Sequence, residues 1–374
     1  TLGVEDDALR SAGRSFVRQR SHQSGEDWMN AIVDRAARQR WTEGPVLDLL
    51  VGMPPTASTW SYLSRFESRM ARRYWAESLP AFSYEDPREL QTAVQGLSSV
   101  ERWRDAIALI SISDASSQLP ARLIGDALVG FASADVGADS GRRLDPYELG
   151  KVFEALDGTS DADDSTTAGL EWTFLAILEQ SERGARCLFN ALEQDPGTFA
   201  YFVSLVYRSE EERAAREDVS EEAQRIAVQA RLLLDAWHGL PGLIGQSIDG
   251  AVLGQWLDGV LARSDETGHR RSAAFSIGKV LARSPSEGEL WPADCVCALI
   301  DRLGSEMLDE GFYLGVVNSR GVVARASGGD QERALEERYR VWAQARAASY
   351  PRTSAILARI ANSYGSDARR WDLD

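Results

Sequence analysis

Cysteine and histidine are scarce in this chain of 374 residues, and each scarcity excludes something. Three cysteines cannot build a disulfide framework, which points to a reducing, cytoplasmic compartment. The three histidines, His22, His238 and His269, have no glutamate or second histidine at ligand spacing. Cys295-Val296-Cys297 lacks a second cysteine pair, and on a helix its two thiols diverge by about 200°. They are expected as small core residues, with no metal site. No stretch approaches the ~20 consecutive apolar residues of a membrane span, and no basic-then-apolar leader opens the chain. A membrane is therefore not an expected partner. Positive charge is in deficit, with 41 basic against 57 acidic residues and a net charge of −16. That balance opposes whole-surface binding to nucleic acid, although a local basic patch can survive it.

The catalytic motifs that most often name an activity are also missing. Gly278-Lys279 is followed by Val280 and has Ala273 five places before it, so it is not a phosphate-binding loop. Gly245-Gln246-Ser247-Ile248-Asp249-Gly250 places its second glycine one position late for a nucleophile elbow. The acidic run from Asp157 to Asp164 has Thr166 where a calcium loop starting at Asp161 needs glycine, and Glu171 comes one residue early. It is expected to be a solvated linker. No cofactor is expected.

What the chain does contain is helical periodicity. Met29, Ile32, Val33 and Ala36 recur three and four apart, as do Ile226, Ala230, Leu233, Leu234 and Trp237. Leu253, Trp256, Leu257, Val260 and Leu261 form the clearest stripe, and Ile356, Leu357, Ile360, Ala361 and Tyr364 the last. Each set lies on one face of a helix and must be buried. Asp86-Pro87 and Asp145-Pro146 place an N-cap acid before a proline at the first helical position, and Asp195-Pro196 and Tyr350-Pro351 mark further starts. Trp103, Trp172, Trp237, Trp256 and Trp342 fall on the stripes and are expected in the core. The fold class is therefore all-α: stacked antiparallel helix pairs in a degenerate α-solenoid-like array. At most one small β-hairpin is expected, near residues 312–326, where Asn318-Ser319-Arg320-Gly321 separates two apolar runs. The expected organisation is an N-terminal helical block at 1–134, a linker-rich segment with a short helix at 135–168, and a C-terminal helical block at 169–374.

Two polar groupings are candidate contact regions. Asn318, Arg320, Arg325, Glu332, Arg333, Arg338 and Tyr339 gather beside a glycine-rich break, where arginine forks and amides can recognise a peptide, carboxylate or phosphate. The structural account of the same residues is capping of helix ends and bridging to Glu332 or Glu336. Arg10, Arg14 and Arg18 share one helix face and would carry nucleic-acid binding, but acidic residues are interleaved among the nearby arginines.

From Leu170 onward the chain resembles a known class of sequence. Leu170-Glu171-Trp172-Thr173-Phe174-Leu175, Asp195-Pro196-Gly197-Thr198-Phe199 and Leu205-Val206-Tyr207 carry the resemblance. So do Gly315-Val316-Val317-Asn318-Ser319-Arg320-Gly321-Val322, Gly328-Gly329-Asp330-Gln331-Glu332-Arg333 and Tyr350-Pro351-Arg352-Thr353. The chain is similar here to the C-terminal α-helical regions of very large, mostly uncharacterised multidomain bacterial proteins, some of them associated with defence or signalling. The resemblance implies a helical module of a larger protein and transfers no catalytic residue. The opening at Thr1 and the end at Asp374 in charged sequence agree with an excised segment.

The expected function is a non-catalytic helical-repeat module that binds or senses a protein or peptide partner, in the manner of a scaffold, within a larger bacterial cytoplasmic protein. That partner could be another domain of the same chain. One alternative is an enzyme with an unfamiliar acidic active site between the two helical blocks, drawn from Glu171, Glu179, Asp235 or Asp249. Another is a nucleic-acid binder using Arg10, Arg14 and Arg18.

Overall fold

A computed structural model of the chain describes residues 2–66, 68–134, 143–215, 218–319 and 329–371. Among the described residues the chain is all-α apart from one two-stranded hairpin, and it divides into two compact units at 1–188 and 189–374.

The first unit begins with α1 (Leu2–Arg38), bent at Gly25, where φ is 64° and ψ −159°. Glycine accommodates this backbone without steric conflict. Then come α2 (Glu43–Gly52), α3 (Ala57–Leu63), α4 (Ser68–Glu77), α5 (Pro87–Ser98) and α6 (Trp103–Ile112). A 3₁₀ turn at Asp114–Gln118 leads to α7 (Ala121–Ser133), α8 (Pro146–Gly158) and α9 (Asp164–Leu178). The start signals act as their chemistry requires: Asp86 accepts from Arg88 N–H, and Asp145 and Glu148 form a reciprocal capping box. Helices adjacent in sequence pack together, and α8 also lies on α6. Leu47, Leu50, Leu90, Leu97, Ile107 and Ile110 are fully buried between them. Each such side chain contributes roughly 1.5–3 kcal/mol of transfer free energy.

The expected linker is mostly helix. Its first part, 135–142, lies outside the described residues, but α8 and the start of α9 fill most of the remainder. The acidic run is not a solvated tether, because its carboxylates bind helix ends and arginines. Asp161 accepts from Ala121 N–H, Asp163 caps α9, and Asp157 is held by Arg183 and Arg186. The compact units divide at 188/189, inside α10 (Arg186–Gln194), rather than within 135–168.

The second unit continues with α11 (Pro196–Val206), α12 (Glu210–Ala215) and α13 (Glu221–Ala236). The hairpin β1 (Leu243–Ile244) and β2 (Ser247–Ile248) turns through Gly245 at a φ of 64°. It is followed by α14 (Gly250–Glu266), α15 (Arg270–Leu281), α16 (Asp294–Leu303), α17 (Glu306–Ser319), α18 (Asp330–Arg346) and α19 (Pro351–Trp371). The described hairpin is thus at 243–248. Residues 312–319 complete α17, and 320–326 lie outside the described residues. The apolar run before Asn318 has a neighbouring helix to pack against, which favours the helical period over a strand pair.

Phe199, Trp237 and Trp256 form one aromatic centre of this unit, with ring centroids 4.9–6.2 Å apart. The Trp256 indole donates to Leu192 O at 3.1 Å. Trp237 and Trp256 are buried, while Trp103, Trp172 and Trp342 are half-buried. Cys297 is buried and Cys295 half-buried, each a free thiol. Among the described residues, no helix is long and apolar enough to cross a membrane, and no three His, Cys, Asp or Glu side chains cluster as a metal site would require.

Candidate functional site

Helices α15 and α17 cross with their backbones almost touching. A Cβ on Gly311 would lie 1.9 Å from Phe275 O, and one on Gly278 would lie 2.2 Å from Leu308 O. Glycine is the residue that allows this approach. The crossing brings the C-terminal halves of the two helices side by side, with Gly315 against Lys279 and Ala282. α11 and α13 close the other sides and leave a pocket of about 510 Å³. That volume is in the range of small-molecule and side-chain recognition sites.

Each wall contributes polar groups to the pocket. Ser220 caps α13, whose buried Ala230, Leu233 and following Trp237 fix its rotation. Arg231, Asp235 and His238 thereby reach the pocket, from helical spacings of three and four. α15 buries Ala273, Ile277 and Val280 and presents Ser276, Lys279 and, just past its end, Arg283. Tyr207 and Phe199 enter from α11, and Asn318 and Ser319 from the last turn of α17.

The charges are unevenly balanced. Asp235 lies 3.8 Å from Lys279 Nζ and 3.9 Å from Arg231 Nε, both at the outer limit of an ion pair. Arg283 sits over the Trp237 ring at 5.4 Å and donates through Nη1 to Gly239 O at 3.2 Å. Burial holds the Arg283 guanidinium below its ordinary range, with Asp235 opposing the shift. Burial also pushes the Tyr207 hydroxyl up, against Arg231 and a hydrogen bond with Ser276. The pocket is locally cationic although the chain as a whole is strongly acidic.

Residues singled out in the sequence are distributed differently. Asn318 lines this pocket, whereas Arg320 and Arg325 lie outside the described residues. Tyr339 is half-buried, stacked on Tyr364 at 5.6 Å and edge-on to Trp291 and Trp342, and burial pushes its hydroxyl up to about 12. Glu332 is buried in α18, Arg333 pairs with Asp330 at 2.5 Å, and Arg338 is exposed on the same helix. In the first unit, Arg10 and Arg14 converge on Asp48 and Glu77, with Arg14 Nε 2.8 Å from Asp48 Oδ1, and Arg18 is exposed. Two of the three arginines on that face already hold counter-charges.

The four acids of the enzyme alternative also separate. Glu171 is fully buried, accepting from Cys187 and Leu188 N–H at 3.1 and 2.7 Å and pairing with Arg183 at 2.6 Å. Asp249 caps α14, and Glu179 ends α9. Asp235 alone lines the pocket. Sequence reasoning missed Arg231, Arg283, Ser276 and Tyr207, and met Lys279 only in a failed phosphate-loop test. The available signal was the four-residue spacing of Arg231 with Asp235 and of Lys279 with Arg283, which puts each pair on one helix face. No protein-family model matches the chain, and neither does any curated protein or any solved structure.

Proposed function

We propose that the chain is a non-catalytic helical binding module of a larger bacterial cytoplasmic protein, a sensing or scaffold arm that takes an acidic group of a protein or peptide into the pocket between α11, α13, α15 and α17. The observation that carries this is Arg283, a desolvated guanidinium with no carboxylate among the described residues at ion-pairing distance. An uncompensated cation in a partly buried site is costly, and an incoming anion relieves that cost. Among the described residues the pocket's single carboxylate, Asp235, lies between two cations and has no second acid beside it for paired acid–base work. The resemblance of the second half of the chain to helical regions of large defence- or signalling-associated bacterial proteins supports the same reading.

The test is selection of random peptides on the intact chain, with counter-selection on Arg283→Met. Enriched peptides should contain Asp or Glu and should lose binding to the variant. Enrichment of peptides without acidic residues, or binding indifferent to the substitution, would refute the proposal.

A further inference from the structure

The charge left over in this pocket narrows its occupant. Among the described lining residues three cations, Arg231, Lys279 and Arg283, face one carboxylate, Asp235, an excess of two positive charges. A carboxylate ligand would neutralise one of them. A phosphate monoester carries about −1.5 to −2 at pH 7 and offers three strong acceptor oxygens, which matches the excess. Donors for those oxygens are in place. Arg283 commits one of its N–H groups to Gly239 O and keeps the rest of its fork. Lys279 has its ammonium 3.8 Å from Asp235 and 5.4 Å from the Phe275 ring centroid. The amide of Asn318 enters from α17, and Phe199, Val206 and Val280 add apolar lining. The volume of about 510 Å³ exceeds what a phosphate group alone fills, leaving room for the carbon skeleton that bears it.

Resting on the anion-pocket reading above, we infer that the ligand is a phosphate monoester, its oxygens received by Lys279, Arg283 and Asn318 and its organic portion by the apolar wall. The same chemistry has two sources, a phosphorylated side chain or a free organic phosphate.

Titration calorimetry and ³¹P NMR on the full chain separate them, with inorganic phosphate, N-acetyl-phosphoserine amide, adenosine 5′-monophosphate and N-acetyl-aspartate amide as probes at one ionic strength. The phosphates should bind at least about tenfold more tightly than the aspartate compound, in line with their larger negative charge and additional acceptor oxygen. Lys279→Met and Arg283→Met should each weaken them about 10- to 100-fold. Lys279 is half-exposed, so its variant keeps the packing and remains informative if Arg283→Met fails to fold. Tighter binding of phosphoserine than of the nucleotide assigns a protein source, and the reverse order assigns a free phosphate and overturns the protein-or-peptide part of the reading above. Aspartate binding as tightly as the phosphates would overturn the inference while leaving the acidic-group reading intact. Phosphate binding unaffected by both variants would overturn the assigned site. Failure of all four probes on folded protein would overturn both readings.

Discussion

Replacement of Glu171 by alanine is expected to destabilise the first unit more than any change at the surface. The Glu171 side chain is fully buried and accepts from Cys187 N–H, Leu188 N–H and Arg183. Arg183 is itself 3% exposed, bonded to Asp157 through Nε and Nη2 at 2.8 Å each, and lies 5.0 Å from the Phe153 ring centroid. Alanine at 171 would strip one counter-charge from a buried guanidinium and leave two backbone donors at the start of α10 without an acceptor. Breaking a buried pair from one side costs about 3–5 kcal/mol. Whole domains have about 5–15 kcal/mol of stability, so this is a large fraction. For a unit of this size the melting temperature should fall by on the order of 10 °C. Glu171→Gln, which keeps an acceptor while Asp157 still holds Arg183, should lose less.

Two measurements check it, thermal denaturation and peptide-resolved alkylation of Cys187. Burial first, then Glu171, Asp157 and Asp164, push the Cys187 thiol up to about 11 against the pull of Arg183. The thiol of the native protein should therefore react slowly, and the alanine variant should alkylate faster as the start of α10 opens. A melting temperature within about 2 °C of the parent, less than 1 kcal/mol for such a unit, together with unchanged Cys187 alkylation would refute this account of the buried pair.

Three further substitutions test the second unit. Asp195 caps α11; burial alone would raise its carboxyl, but the Thr198 hydroxyl and the N–H groups of Gly197 and Thr198 hold it below the ordinary range. The unfolded chain therefore binds that proton more readily, and the cap's contribution is complete above about pH 4 and is lost as pH falls through the folded value. Asp195→Asn, which still caps, should narrow the difference in melting temperature between about pH 7 and about pH 3, and an unchanged difference would contradict the assignment. Gly311→Val forces α15 and α17 apart at Phe275 and should cost at least about 1–3 kcal/mol by thermal denaturation. Gly254→Ala, whose Cβ would meet only Leu299 at 3.6 Å, should instead stabilise by about 0.5–1 kcal/mol. Equal effects of the two would mean that the close crossing is not what positions the pocket.

Local chemistry was legible in the chain itself. The stripe Leu253, Trp256, Leu257, Val260 and Leu261 is the buried face of α14, and the acids at 86, 145 and 195 cap the helices they precede. These signals act within a few residues, through the helical period and the unpaired N–H groups of a helix start. Sequence spacing could not reveal that Asp157 and Glu171 would share Arg183, so an acidic run that looked like a tether became part of a buried network. Nor could it place the small hairpin, because an apolar run reads as strand or helix until a neighbour covers it, and α15 covers α17. The cationic pocket was hidden for the same reason. Arg231, Lys279 and Arg283 each look like a solvated charge beside an apolar stripe, and only the glycine-mediated crossing of α15 and α17, closed by α11 and α13, gives them a common cavity. Caps and stripes depend on neighbours along the chain, whereas charge balance in a cavity depends on neighbours in space, which tertiary packing alone supplies.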